Sequence, residues 1–408
     1  MAGSLRLLLS DMVVHGRSTL PSQYVRPISD CPNVSDVIHA TDAKIPLIDL
    51  AGINGADRHN VVEAIGQACQ TDGFFQIKNH GIPKTVVEGM LLVAQEFFQL
   101  PTDERLKYYS DDPKKSTRLS TSFNVRIERV SNWRDFLRLH CYPLEDFAHE
   151  WPSNPPSFWC VQLYRYDSAP HSFSEFSSLY GGGGGVLEPC EGVRSEVARG
   201  HLREPGASEG LYGEGDGEAS AAHGRQLLPA VPDPGLTYGL PGHKDPNAIT
   251  ILLQDDIARL QVLKNGKWVA VNPIPDTLII NIGDQIQHKY RGHERVVFHY
   301  IPRAYALHKL VPHREANPRL MLCGMQVLSN DRYASVLHRA LVNSSRERIS
   351  VPTFYCPSPE ALIGPPLALV NEEHPAAYRS FTYGEYYQKF WNWGLATGSC
   401  LDMFRLSP

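Results

Sequence analysis

His243 and Asp245 have the spacing of a metal site, because side chains at positions i and i+2 of an extended segment point to the same face. His338 is a candidate third ligand, since it interrupts an apolar run at residues 334–342 that predicts a strand. Two histidines and one carboxylate on one face of an iron leave three positions open, an arrangement that suits non-haem Fe(II) oxygenases. These residues therefore predict an Fe(II) site.

Arg348 and Ser350 repeat the same two-residue spacing ten positions after His338. A guanidinium binds a carboxylate through two parallel hydrogen bonds and a hydroxyl adds another, so the pair suits the distal carboxylate of 2-oxoglutarate. Each residue also has a purely structural interpretation. His338 could be a hydrogen-bonded core histidine, Arg348 a surface ion-pair partner and Ser350 an ordinary strand residue. The order H-x-D, His and R-x-S along a sequence that predicts many strands favours the iron site.

The elements that must position these residues begin with an α/β region of about 110 residues. Apolar spacing predicts strands at residues 45–50 and 74–77 and helices at residues 61–69 and 83–98. Gly73 ends the first helix and Pro101 closes the second. A further apolar-rich element covers residues 133–142.

From Pro234 onward, short strands alternate with turns, which predicts an antiparallel sandwich or barrel. Asn265-Gly266 predicts a type I′ hairpin turn because both positions tolerate positive φ. An aromatic helix at residues 383–393 ends the pattern. The predicted strands lie at residues 248–254, 260–263, 268–271, 277–282, 334–342 and 349–355.

Two stretches differ in composition from the sequence on either side of them. Residues 159–229 are glycine-rich without a period, and their Gly-x-Gly-x-Gly run lacks the strand, the helix and the Gly-Lys-Ser/Thr of a phosphate loop. Residues 288–326 hold seven Lys/Arg and five His, and their prolines favour an inserted loop over a metal or nucleic-acid tract. Our hypothesis is a shifted reading frame in the first stretch and a retained intron in the second, which sequencing of the transcript would test.

Composition narrows the class of protein. The 408 residues are 42% apolar with a net charge of −5, which predicts a globular chain without a broad basic face for nucleic acid. The apolar stretch at residues 5–14 is too short to span a membrane, and the eight cysteines show no CxxC spacing. We expect a cytoplasmic monomer with reduced cysteines that binds neither nucleic acid nor membrane.

Several motifs together resemble one family, the plant Fe(II)- and 2-oxoglutarate-dependent dioxygenases, most of all the downy-mildew-resistance type. That type is similar to salicylate hydroxylases and flavone synthases. The resemblance covers residues 20–157, 232–287 and 327–405. Besides the H-x-D, His and R-x-S residues, it depends on IPLIDL at 45–50, GFFQIKNHG at 73–81, NWRD at 132–135, LTYGLP at 236–241 and NIGDQ at 281–285.

The resemblance implies a mixed α/β and mainly β fold: a double-stranded β-helix (jelly-roll) core with an N-terminal α/β cap and a C-terminal helix. It implies Fe(II) on His243, Asp245 and His338, 2-oxoglutarate on Arg348 and Ser350, O2 as the oxidant, and ascorbate as a further cofactor. Phe354 resembles a wall of the substrate pocket, and core packing is the alternative. The substrate would be a small aromatic metabolite, salicylate- or flavanone-like, that is hydroxylated or desaturated.

The implied organisation has four parts. They are an N-terminal α/β region at 1–157, an aberrant, unstructured glycine-rich segment at 158–231, the dioxygenase core at 232–360 interrupted by the insert 288–326, and a C-terminal helical segment at 361–408.

Two departures from the family keep rival interpretations open. The Asn-Tyr-Tyr-Pro-Pro-like run expected before the H-x-D residues is absent, and with it a tyrosine that helps to hold 2-oxoglutarate. Lys244 also stands where the family has threonine, and we expect its side chain to point outward. The rivals are a non-catalytic remnant and a jelly-roll metal-binding module that does not use 2-oxoglutarate; Arg348 and Ser350 argue against the module. A zinc hydrolase is disfavoured because H-E-x-x-H and nucleophile-elbow motifs are missing.

Overall fold

The structure is a computed structural model, and it describes residues 8–14, 19–32, 37–38, 45–142, 144–158, 220–284, 335–365, 370–395 and 399–406. The predicted insert at 288–326 and most of the predicted glycine-rich segment lie outside these residues. In the parts of the chain that are described, no helix is long and apolar enough to cross a membrane.

Two facing β-sheets form the centre of the molecule. The eight-stranded sheet has the order β2-β3-β11-β8-β13-β6-β5-β4, and the five-stranded sheet has the order β1-β10-β9-β12-β7. All neighbours pair antiparallel except β2 with β3 and β1 with β10. The strands are β1 Val37–Ile38, β2 Leu47–Asp49, β3 Phe74–Lys78, β4 Thr117–Thr121, β5 Asp135–Tyr142, β6 Ser220–Leu228, β7 Leu240–His243, β8 Ile249–Gln254, β9 Leu260–Lys264, β10 Lys267–Val271, β11 Leu278–Ile282, β12 His338–Ala340, β13 Arg348–Cys356, and the separate pair β14 Leu362–Ile363 and β15 Phe381–Thr382.

Helices cover one side of the larger sheet. Apolar side chains of α2 and α3 pack in one cluster with alternate residues of the sheet, such as Leu137, Ile251 and Val351. This apolar packing accounts for the burial of the outer face of the sheet. The helices are α1 Leu9–Val14, α2 Arg58–Thr71, α3 Lys84–Gln99, α4 Thr102–Leu106, α5 Leu144–Phe147 and α6 Tyr383–Trp393.

The inner face of the larger sheet looks toward the five-stranded sheet. Phe74 and Ile279 of the larger sheet pack with Leu260, Val262 and Val269 of the smaller one, closing one part of the space between the sheets. Elsewhere the inner face carries several buried polar side chains, among them Thr250, Arg348 and Ser350. Two packed antiparallel sheets with one α-helical side agree with the predicted jelly-roll fold class.

Local signals place several element ends. Gly73 follows α2 with φ +58°, as a helix-ending residue in the left-handed region does. Asn265 and Gly266 have φ +51° and +75°, and Lys264 pairs with Lys267, so the predicted hairpin turn between β9 and β10 is confirmed. Thr382 accepts a hydrogen bond from the backbone N–H of Glu385 and so begins α6.

The prediction for residues 158–231 is wrong at its C-terminal end. Ser220–Leu228 forms β6, which pairs with β5 on one side and β13 on the other. Seven of its nine residues are buried, so both faces of this strand are covered. A strand covered on both faces shows no polar–apolar alternation, and its composition of Ala, Gly, His, Arg and Gln hid it from a search for apolar runs.

Candidate metal centre and co-substrate site

Two neighbouring strands bring the predicted iron ligands together. His243 and His338 are directly opposite in the antiparallel pair of β7 and β12, with ring centroids 4.3 Å apart. Asp245 follows β7 by two residues, and its Oδ1 lies 3.5 Å from His243 Nε2 and 3.6 Å from His338 Nε2. One ligand atom from each of the three residues lies within 4.8 Å of the others, which fits a single ion.

Backbone carbonyls orient both imidazoles. His243 Nδ1 lies 2.9 Å from the carbonyl oxygen of Pro241, and His338 Nδ1 lies 3.1 Å from that of Val336. In the tautomer that donates from Nδ1, the lone pair of Nε2 faces the other ligands, as metal-binding histidines require. Burial, and then the neighbouring His243, lower the pKa of His338 to about 4, so this ring is neutral at pH 7 and able to bind a metal.

Residues of the larger sheet hold the carboxylate. Asp245 Oδ2 accepts hydrogen bonds from Thr250 Oγ1 and from Asn281 Nδ2, the latter at 2.7 Å, which leaves Oδ1 toward the histidines. Burial alone would raise the pKa of Asp245, but the nearby histidines and the hydrogen bond from Thr250 outweigh it and hold that pKa below its usual range. The carboxylate is therefore charged at neutral pH, which favours a cation.

A second turn supports the loop that carries Asp245. The backbone N–H of Asp284 donates to the carbonyl of Asp245 at 2.8 Å, and Tyr386 of α6 donates its hydroxyl to Asp284 at 2.6 Å. A Cβ on Gly283 would lie 2.0 Å from the carbonyl oxygen of Asn247, so only glycine allows this approach. The C-terminal helix α6 is thus linked through Asp284 to the loop that carries Asp245.

From the sequence we expected the side chain of Lys244 to point into solvent, but the structure places it partly inside the protein. Its side chain is half-buried and lies close enough to Asp284 to favour the charged form of that carboxylate. Burial still dominates and raises the pKa of Asp284 above its usual value.

Arg348 and Ser350 lie on the inner face of β13, at 2% and 1% exposure. Arg348 Nη1 donates to Ser350 Oγ at 3.0 Å, and Nη2 donates to Gln254 Oε1 at 2.8 Å. Among the described residues, Arg348 Nε and Gln254 Nε2 are buried without a hydrogen-bond partner. Buried donors without acceptors are costly, so this cradle fits a carboxylate such as the distal end of 2-oxoglutarate.

Among the described residues, the side-chain hydrogen-bond partners of Arg348 are Ser350 and Gln254, and no tyrosine takes the place that the family resemblance led us to expect. Leu228 of β6 is the residue in register with Arg348, and it packs in an apolar cluster with Leu240 and Ala340. Phe354 lies on the same face of β13 as Arg348 and Ser350 and is partly exposed. Its place on the inner face agrees with either the pocket wall or the packing interpretation.

Sequence reasoning missed the residues that hold the ligands in place. Thr250 and Gln254 were read only as parts of a strand, and Asn281 only as part of a strand and of the NIGDQ motif, although each is a polar side chain within or at the end of an apolar run. A polar residue at an inward-facing position of an apolar strand is the signal that could have found them.

Comparison with known protein families agrees with this geometry. The model of the 2OG-Fe(II) oxygenase superfamily matches residues 220–308 and 308–357, and that of the non-haem dioxygenase in morphine synthesis N-terminal matches residues 45–162. The match to the oxygenase superfamily begins at β6, and its two segments together include all six predicted site residues. The chain belongs to the 2OG-Fe(II) oxygenase superfamily, whose members are 2-oxoglutarate-dependent dioxygenases.

Relatives along the whole chain agree. Protein DMR6-LIKE OXYGENASE 2 of Arabidopsis thaliana is 45% identical, covering 100% of this chain and 99% of that protein. Flavanone 3-dioxygenase 2 of Oryza sativa subsp. japonica is 44% identical, covering 95% and 94%. The crystal structure of JOX2 in complex with 2OG, Fe and JA has a TM-score of 0.69 and 27% identity, covering 99% of both chains.

Proposed function

We propose that this chain oxidises a small aromatic metabolite with O2 and 2-oxoglutarate, using one Fe(II) held by His243, Asp245 and His338. The observation that carries the proposal is the meeting of these ligands beside the buried cradle of Arg348. A metal site without a carboxylate cradle would fit other jelly-roll chemistry, and the unpaired donors of Arg348 and Gln254 therefore favour a 2-oxo acid. The similarity to Flavanone 3-dioxygenase 2 supports the aromatic substrate class.

The chain's own residues bind and orient. Fe(II) would supply the oxidative chemistry when bound. Arg348 and Ser350 would fix the far carboxylate of 2-oxoglutarate and so direct its keto-acid end toward the three ligands. Thr250 and Asn281 hold Asp245 so that one oxygen faces the metal position. The side chains of the three ligands are at most 10% exposed, and this low exposure strengthens each of these electrostatic contacts.

Anaerobic titration with Fe(II) and 2-oxoglutarate tests the proposal. We expect a saturable visible charge-transfer band from the chelate, and succinate release once O2 and a substrate are added. His243→Ala should lose the band while the protein keeps its far-UV circular dichroism. A folded wild-type protein that shows no band would contradict the proposal, and a band that persists in His243→Ala would contradict the ligand assignment.

Phe354 is the residue we propose for the wall of the substrate pocket. The test is Phe354→Ala, which should alter the KM for an aromatic substrate while leaving the affinity for 2-oxoglutarate unchanged. Monomeric state, cytoplasmic location and the use of ascorbate stay predictions from the sequence.

A further inference from the structure

The short helix α1 packs against the end of the larger sheet. Leu8 and Leu9, at its N-terminal end, are adjacent in the chain but pack in different places. Leu8 joins the cluster with α2 and α3 on the outer face of the sheet, whereas Leu9 joins the cluster that connects the two sheets. Both side chains are at most 1% exposed. The N-terminal end of α1 is therefore wedged between the outer face and the space between the sheets.

The apolar side of α1 reaches the neighbourhood of the cradle of Arg348. Leu9 and Met12 belong to one buried cluster with Leu228 of β6 and with residues of β7 and β12. Leu228 is directly opposite Arg348 in the antiparallel pair of β6 and β13. Opposite Cβ atoms in such a pair are about 5 Å apart, so packing that holds Leu228 also limits where the arginine side chain can lie. The helix thus packs at the end of the barrel that holds the cradle.

A buried carboxylate holds the N-terminal end of α1. Asp135, the first residue of β5, is 0% exposed and accepts hydrogen bonds from the backbone N–H of Leu9 at 3.1 Å and from that of Ser10 at 2.8 Å. The Ser10 hydroxyl donates to the same carboxylate, also at 2.8 Å. Burial raises the pKa of Asp135, and these donors oppose the shift. Since unpaired buried carboxylates are costly, α1 and the start of β5 stabilise each other.

A second polar contact holds the next residue of the helix. Asp11 is 7% exposed, forms an ion pair with Arg105 of α4 and accepts a hydrogen bond from Thr102 Oγ1 at 2.9 Å. Arg105 Nη1 also donates to Ser10 Oγ at 2.6 Å. A helix of six residues is too short to be stable by itself. Whether α1 is docked therefore depends on these polar contacts together with its apolar side.

We propose that Asp135 is a positioning residue for 2-oxoglutarate: it docks α1, and docked α1 packs Leu228 beside the arginine of the cradle. This inference rests on the proposed function and deepens it, because it assigns the residues that shape the co-substrate end of the same site. The family resemblance led us to expect a tyrosine beside Arg348. In this chain, apolar packing around Leu228 restricts the arginine instead.

The first test changes the carboxylate. Asp135→Asn keeps the size of the side chain but replaces one accepting oxygen with an amide donor, which cannot accept from the backbone of α1. The 2-oxoglutarate concentration that gives half of the chelate band, measured without oxygen, should rise about ten-fold. The affinity for Fe(II) should change little, because Asp245 keeps its hydrogen bonds from Thr250 and Asn281. Unchanged affinity for 2-oxoglutarate, or an equal loss for Fe(II), would overturn the proposal.

Leu9→Ala tests the apolar side of the same helix and should also weaken 2-oxoglutarate about ten-fold. Ile77→Ala is the matched control, since Ile77 is 1% exposed in the outer cluster and lies on β3, five strands from β5. Both variants should lower the free energy of unfolding, but only Leu9→Ala should weaken 2-oxoglutarate. Equal weakening in folded Ile77→Ala would mean that the effect is a general loss of stability, against the proposal.

The double variant tests whether both residues act through one helix. Leu9→Ala combined with Asp135→Asn should weaken 2-oxoglutarate by about ten-fold and not by about a hundred-fold, because each single change already releases α1. Additive losses would show two independent effects and would contradict the proposed route through α1.

Hydrogen exchange gives a readout that a purely structural role would not move. If release of α1 weakens 2-oxoglutarate about ten-fold, then 2-oxoglutarate must strengthen the docking of α1 by the same factor. The amides of Leu9 and Ser10 should therefore exchange about ten-fold more slowly when saturating 2-oxoglutarate is added to wild-type protein with Fe(II), without oxygen. The absence of slowing in protein that shows the chelate band would refute the inference.

The chelate band separates this inference from the proposed function. If the wild-type protein shows neither the band nor slower exchange, the proposed function fails and the inference fails with it. If the band appears and Asp135→Asn binds 2-oxoglutarate like wild type, the inference alone fails and the proposed function stands.

Discussion

The two faces of the eight-stranded sheet differ in the side chains that they bury next to the helices and next to the site. Adjacent residues of β8 show it: Ile251 packs outward into the cluster with α2 and α3, while Thr250 points inward and holds Asp245. The outer face gains its stability from apolar area removed from water. The inner face gives up part of that gain to bury arginines, amides and hydroxyls whose partners are supplied by each other or by ligands. Stability and chemistry are thus assigned to alternate residues of the same strands.

The largest expected effect is at the inner face. His338→Ala removes one of three iron ligands, so the chelate band and succinate release should fall to background. The free energy of unfolding should change less than on deletion of an apolar core side chain, because the removed ring is polar and its burial contributes little hydrophobic stabilisation. Urea unfolding and anaerobic titration check both parts. A large loss of stability would show that His338 serves mainly as a core residue.

Ile251→Ala tests the outer face. Deleting this fully buried side chain should lower the free energy of unfolding by about 2–5 kcal/mol through lost burial and a cavity. The folded fraction should still give the chelate band at the wild-type 2-oxoglutarate concentration. If the band is lost in folded protein, the two faces are not functionally separate.

Arg348→Gln should weaken 2-oxoglutarate about 10- to 100-fold, because a charge-assisted hydrogen bond to a carboxylate is lost. The measurement is the 2-oxoglutarate dependence of the band. Arg346→Gln is a matched control, since Arg346 forms an exposed ion pair with Asp256 that contributes little. Similar affinities in the two variants would exclude the cradle.

Thr250 lies next to Ile251 in β8 but faces inward, and Thr250→Val keeps the shape of its side chain. Loss of the hydroxyl that orients Asp245 should weaken Fe(II) about ten-fold, with a smaller effect on stability than Ile251→Ala. Fe(II) titration followed by the band measures this. A loss of stability as large as that in Ile251→Ala would remove the distinction between the faces.

The smallest effect expected is a pH dependence of stability from His140 on β5. Burial, and then Arg138, lower its folded pKa to about 4, below the ordinary value of 6.5. The unfolded chain therefore binds a proton between pH 6.5 and pH 4 that the folded chain does not, and stability falls as the pH drops through this window. His140→Gln should flatten that part of the pH profile measured by urea unfolding. An unchanged slope would exclude His140 as its source.

The sequence was most informative where a local rule decides the structure. The helix at residues 383–393 and the turn at Asn265-Gly266 were predicted with the right bounds, because apolar spacing and positive-φ residues act over a few positions. The H-x-D spacing predicted one face for His243 and Asp245 for the same reason. β6 was missed because its burial depends on strands far away in the chain.

The sequence by itself determined which residue types could bind iron and a carboxylate, since those depend on donor chemistry and two-residue spacing. Only the tertiary structure decided that His338 lies opposite His243 and that Thr250 and Asn281 hold Asp245. The physical reason is that antiparallel register, which joins residues up to about two hundred positions apart, is set by the packing of whole sheets and does not follow from any local periodicity.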